Sequence, residues 1–120
     1  MHEIQAEFTF AAAHQLPRYQ GKCRNLHGHN YKMAVTLRGE PDAHTGMFVD
    51  LGDVENAVRE HILARCDHKN LNDFIDNPTA EAVAAWCWTR LAEKLPGLYE
   101  VRIWEIPGFS VAYRGADGFR

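Results

Sequence analysis

A chain of 120 residues, 46% hydrophobic and 24% charged, has the balance of an ordinary globular protein, and this length predicts a single domain over 1–120 with one modest core. A formal net charge of −3 leaves no basic footprint, which argues against nucleic acid and against an anionic membrane as partners. No apolar run approaches the roughly 20 residues of a membrane span, MHEIQAEFTF does not read as a signal peptide, and three cysteines fit free thiols better than a disulfide framework, so a reducing, cytoplasmic location is expected.

The first segment alternates. Ile4, Ala6, Phe8, Phe10 and Ala12 fall at even positions between polar neighbours, which predicts a strand with one buried face, and His14 continues the same series. A second run places His27, His29, Tyr31, Met33, Val35 and Leu37 on one parity and ends before Gly39-Glu40-Pro41-Asp42. The connection between them, Gln15 to Leu26, is long for a hairpin, and long connections in compact domains are often functional. Gly46 to Val49 reads as a short extended stretch. Asp50 then caps a helix over about 51–65, with Val54, Ala57, Val58, His61 and Ile62 at helical spacing. CDHKNLNDFIDNP is a polar loop. Thr79 caps a second helix whose apolar stripe is Val83, Cys87, Leu91 and Leu95, stopped by Pro96-Gly97. A third strand covers Tyr99 to Ile106, and Phe109, Val111 and Tyr113 form a fourth after Pro107-Gly108. The order β-β-α-α-β-β predicts an α+β fold, with a four-stranded antiparallel sheet and two helices on one face.

Sequential strands tend to be neighbours, so the end of the first should lie beside the start of the second. His14, His27 and His29 then share one face at one end of the sheet, because side chains two apart in a strand point the same way. Three converging imidazoles suit Zn²⁺, and three protein ligands leave a fourth position open, as in catalytic zinc sites. Satisfied polar residues at a sheet edge are the plainer alternative, and the shared parity of all three favours metal. Cys23, four residues before His27, reads equally well as a fourth ligand or as a nearby thiolate base beside Lys22 and Arg24. Cys87 belongs to a helical stripe and reads as core. Asp67-His68 forms a possible proton relay, although adjacent Asp-His pairs are common by chance. Glu105 shares the face of Val101 and Ile103, where a carboxylate either snorkels at the strand end or meets a hydrogen-bonding ligand.

The stretches FTFAAAHQLP, KCRNLHGHNY, DAHTGMFVDL, CDHKNLND, NPTAEAVAAWCW and Trp104-Glu105 occur in the order found in the tunnelling-fold pterin synthases. Together they span almost the whole chain. The sequence resembles the 6-carboxy-5,6,7,8-tetrahydropterin synthase branch of the 6-pyruvoyl-tetrahydropterin synthase family, and the Cys-x₃-His-Gly-His spacing is the bacterial form. The resemblance implies zinc on His14, His27 and His29, Cys23 as catalytic proton acceptor, Asp67 and His68 as relay, and Glu105 as anchor of the pterin ring and part of that relay. It places Thr79 and Glu81 along the pterin pocket. It also implies a homo-oligomeric barrel, a hexamer of two trimers, with active sites between subunits. The implied reaction converts 7,8-dihydroneopterin triphosphate to 6-carboxytetrahydropterin, acetaldehyde and triphosphate, on the route to queuosine. Triphosphate elimination without carbon–carbon cleavage, or a zinc scaffold with Cys23 as fourth ligand, are the alternatives. Gln15 stands where many relatives have arginine; if that arginine helps hold phosphate, Lys22, Arg18 or Arg24 must compensate here. Cys66 replaces a leucine and Ala82 an asparagine.

Overall fold

The computed structural model describes residues 1–116; the single domain expected over 1–120 extends to residues 117–120, which lie outside the described residues. In chain order the elements are β1 (His2–His14), β2 (His27–Gly39), α1 (Leu51–Val58), α2 (Ala64–Cys66), β3 (Lys69–Asn70), α3 (Ala80–Ala92), β4 (Leu98–Ile106) and β5 (Phe109–Tyr113). Single turns of 3₁₀-helix cover Lys22–Arg24 and Leu71–Asp73.

β1 and β2 pair antiparallel without a break, from His2 opposite Gly39 to His14 opposite His27. The alternation fixes this register, since a slip of one residue would turn the whole apolar set to solvent. β4 pairs with β2 and β5 with β4, both antiparallel. The inner face carries Phe10, Tyr31, Met33, Val35, Leu37, Val101 and Ile103, in one cluster with Val54, Val58, Ile62, Val83, Cys87 and Leu91 of the helices. Full burial of each large aliphatic here contributes about 1.5–3 kcal/mol. The outer face is polar, with cross-strand ion pairs Glu3–Arg38 at 2.8 Å and Glu7–Lys32 at 3.4 Å.

The sheet differs from expectation at one edge. It has five strands, in the order β3-β1-β2-β4-β5, and β3 runs parallel to β1. The polar loop after α2 is drawn onto β1 because the His68 N–H donates to the Ala11 carbonyl (2.6 Å) and the Ala11 N–H donates to Asp67 Oδ1 (3.0 Å). A two-residue strand has no periodicity to read. Gly46 to Val49 is a bend and not an extended stretch. The Asp42 carboxylate accepts from the N–H groups of His44 and Thr45 and curls the loop, and Gly46 takes a φ of 77°.

The predicted first helix is continuous from 51 to 66 but not uniformly α-helical. The Asp50 side chain caps it by accepting from Gly52 N–H (2.7 Å), and Arg59–Leu63 form a π-helical segment. Val54, Val58, Ile62 and Cys66, four apart, are all buried. In a pure α-helix such a row drifts about 40° per step. The wider π turn rotates less per residue and keeps the row facing the sheet. Thr79 caps α3 by accepting from Ala82 N–H at 3.1 Å, as expected. After α3 the chain returns through Gly97, at φ +80°, where an added Cβ would stand 2.5 Å from the Arg38 carbonyl oxygen. No helix among the described residues is long and apolar enough to cross a membrane.

Candidate metal centre

His14, His27 and His29 meet at the end of the β1–β2 ladder, His27 directly across from His14 and His29 across from Ala12. One nitrogen from each ring lies within 4.8 Å of the other two. His14 is fully buried. The rings pack edge to face, with centroids 4.6 to 5.0 Å apart.

Hydrogen bonds behind the cluster set its chemistry. His14 Nδ1 lies 2.8 Å from the Pro78 carbonyl oxygen, and His27 Nδ1 lies 2.7 Å from that of Asn25. A carbonyl only accepts, so each Nδ1 carries the hydrogen and each Nε2 presents a lone pair. Those two Nε2 atoms are 3.1 Å apart. A tetrahedral ion binding nitrogens at about 2.0–2.1 Å holds them about 3.4 Å apart, so the spacing suits a shared cation, without which the lone pairs repel. His29 Nε2 is buried and has no hydrogen-bond partner among the described residues. Burial lowers the His29 pKa below the ordinary value, against the opposing pull of Glu105, and His14 and His27 lower it further. A lowered pKa favours the neutral form, which is the one that ligates metal. An orphaned acceptor, two facing lone pairs and carbonyl-anchored Nδ1 groups together fit a divalent ion such as Zn²⁺.

Glu105 points into this cluster, with Oε1 3.6 Å from His14 Nε2 and Oε2 3.8 Å from His29 Nε2. It is neither snorkelling nor isolated. Tyr31, fully buried, stacks on Phe10 at 5.0 Å and brings its hydroxyl to 3.2 Å from His14 Nδ1.

The remaining sequence-predicted residues are spread more widely. Cys23 sits on the Lys22–Arg24 turn, half-buried and outside the convergent set, in a cavity of about 340 Å³ lined also by Arg18, Tyr19, Asn77 and Thr79. His68 lines a different cavity, of about 500 Å³, over Ala11, Ala13, Gly28 and Asn30. Its Nδ1 is 3.2 Å from Asp67 Oδ2, while its ring is 81% exposed. Asp67 has a lowered pKa, chiefly through the Ala11 N–H bond. Glu81 and Lys22 are exposed. Arg18 is held by Asp76 through two contacts of 3.0 and 3.2 Å, which leaves Lys22 and Arg24 as the cations beside Cys23 without an ion pair among the described residues. Gln15 is engaged through its backbone by Asn72. Sequence reasoning missed the Pro78 and Asn25 carbonyls and the Tyr31 hydroxyl. A backbone carbonyl has no side-chain signature, although Tyr31 does continue the parity of His27 and His29.

Residues 3–116 match the family model described as 6-pyruvoyl tetrahydropterin synthase. The chain is 38% identical over 109 residues to 6-carboxy-5,6,7,8-tetrahydropterin synthase of Synechocystis, covering 85% of this chain and 84% of the relative. It is 39% identical over 127 residues to 6-pyruvoyl tetrahydrobiopterin synthase of Drosophila melanogaster, covering 89% and 76%. The structure superimposes on Caenorhabditis elegans 6-pyruvoyl tetrahydropterin synthase with a TM-score of 0.86, 31% identity and 96% coverage of both chains.

Proposed function

Since the chain belongs to the 6-pyruvoyl tetrahydropterin synthase family, we propose that it is a zinc-dependent carbon–carbon lyase. Its substrate is 7,8-dihydroneopterin triphosphate, and its products are 6-carboxy-5,6,7,8-tetrahydropterin, acetaldehyde and triphosphate. The observation that carries this reading is the likeness to the Synechocystis 6-carboxy enzyme, 109 aligned residues for 85% of the chain, against 127 for 89% with the fly 6-pyruvoyl enzyme. The compact alignment favours the carboxy branch over triphosphate elimination alone, which is the second reading.

His14, His27 and His29 would hold the ion through their Nε2 atoms. Zinc bound there supplies Lewis acidity to the hydroxyl-bearing side chain of the substrate. Cys23 as thiolate accepts a proton from that side chain. His68, oriented by Asp67 Oδ2, moves protons during the internal redox step and the cleavage. Glu105 accepts from the amino-pyrimidine edge and fixes the ring, with Thr79 and Glu81 along the pocket, and such orientation removes several kcal/mol of barrier. Lys22, beside Cys23 and without a carboxylate partner among the described residues, takes the triphosphate. No external redox cofactor enters.

Cys23 and His68 line different cavities of one chain. We therefore assign the complete site to an interface between copies in a homo-oligomer, a hexamer of two trimers, acting in the cytoplasm and feeding queuosine synthesis. The test is to supply 7,8-dihydroneopterin triphosphate to purified protein and analyse products by mass spectrometry. Acetaldehyde with the 6-carboxy product is expected; a pyruvoyl product without acetaldehyde selects the second reading. Zinc loss on Cys23→Ala would instead point to a scaffold with a sulfur ligand.

A further inference from the structure

We propose that Asn77 is a positioning residue for the metal ligand His14, acting through the carbonyl of Pro78; the inference rests on the metal reading above. Asn77 has a φ of 50°, and His68 is the other non-glycine residue at positive φ among the described residues. The position is doubly unfavourable. Left-handed backbone crowds any Cβ, and a following proline pushes its predecessor toward extended geometry. Asparagine tolerates the left-handed region better than other side chains do. Strain of this kind persists where the surroundings over-determine it, and often at functional sites.

The strained residue sets one oxygen atom. Thr79 N–H donates to the Asn77 carbonyl (2.8 Å) and closes a three-residue γ-turn centred on Pro78, while the Thr79 hydroxyl caps α3. Held from both sides, Pro78 is buried with its carbonyl oxygen 2.8 Å from His14 Nδ1. The Tyr31 hydroxyl competes for the same nitrogen from 3.2 Å. The two partners differ in what they require: the Pro78 carbonyl can only accept, whereas the Tyr31 hydroxyl can accept or donate. If Nδ1 carries the hydrogen it donates to Pro78, and Nε2 is free to ligate. If Nδ1 accepts from Tyr31, the hydrogen sits on Nε2, 3.1 Å from His27 Nε2, and ligation is blocked. The placement of the Pro78 carbonyl therefore decides whether His14 is a ligand at all. Asn77 and Thr79 also line the cavity that holds Cys23, so one turn joins the ligand's tautomer to the wall of the proposed reaction cavity.

The first measurement needs no metal and no turnover. Long-range ¹H–¹⁵N correlation spectra of zinc-free protein in alkaline buffer report the His14 tautomer. The Nδ1–H form is expected, and the Nε2–H form would overturn the proposal. Zinc affinity is then measured by chelator competition. Asn77→Gly, which adopts positive φ freely, keeps wild-type affinity, whereas Asn77→Val weakens it by about tenfold to a hundredfold. Equal affinities for wild type and Asn77→Val would overturn the assignment. Tyr31→Phe keeps both the tautomer and the affinity; a loss there would hand control to Tyr31 and also overturn it. If Asn77→Val does not fold, the wild-type tautomer still decides. A wild-type chain that binds no zinc refutes the metal reading itself, separately from the tautomer result.

Discussion

The two halves of the candidate chemistry are built in opposite ways. The histidine cluster stands on two long paired strands, with His14 fully buried and every ring braced by its neighbours. Cys23 and the Asp67–His68 pair stand on short turns, half-buried or exposed, and His68 holds its backbone at a φ of 62°. Regular secondary structure thus fixes the atoms that must converge on a point, while loops present the groups proposed to move protons. The first half is complete within one chain. The second offers its groups in separate cavities, which is why a neighbouring copy is proposed to complete it.

The sharpest break in this contrast comes from removing one imidazole. His29→Ala leaves two ligands and should lower zinc affinity by more than the roughly hundredfold cost of losing a supporting hydrogen bond, read as metal content after dialysis. Cys23→Ala should leave zinc content unchanged and lower kcat by about 10²–10⁴-fold, the usual worth of a positioned acid or base. Equal zinc loss in both variants would erase the distinction between the two halves.

Asp67→Asn is expected to have a smaller effect, visible in stability as a function of pH. The carboxylate's native pKa lies below the ordinary value, mainly because it accepts the Ala11 N–H. The unfolded chain therefore binds the proton more readily in acid. The stabilisation is fully present above about pH 4 and declines as pH falls through the native value. Denaturation midpoints of wild type and Asp67→Asn should differ least in strong acid; a constant gap across pH would count against the bond. The finest measurement separates the thiols. Burial pushes Cys66 up to about 12 and Cys87 well above the ordinary value. A disulfide reagent at neutral pH should titrate one thiol, Cys23, in the folded protein and all three after unfolding.

Much of the first half is legible in the sequence. Strict alternation in β1 and β2 leaves one register that buries the apolar set, and that register alone brings His14, His27 and His29 together. Parity marks Glu105 as a carboxylate on an apolar face, and its carboxylate does face the cluster. β3 was not legible, because Lys69–Asn70 is held by backbone bonds from its neighbours and not by a pattern of its own. The carbonyls behind the imidazoles were hidden for the same reason. The roles of Cys23, Asp67 and His68 came from resemblance and not from spacing, since loop residues obey no period.

The π-helical segment at Arg59–Leu63 has a bearing on the proposed relay pair that lies just beyond its end. It holds one residue more than a regular turn needs, and Asp67 and His68 inherit the rotation it imposes. Excising a single residue there would leave a tidier rod, aimed about 100° elsewhere. The clasp on Ala11 would open and carry the acid–base couple off the sheet margin, with every reactive side chain still present in the sequence. The winding of this helix is in this sense a component of the proposed proton-transfer apparatus.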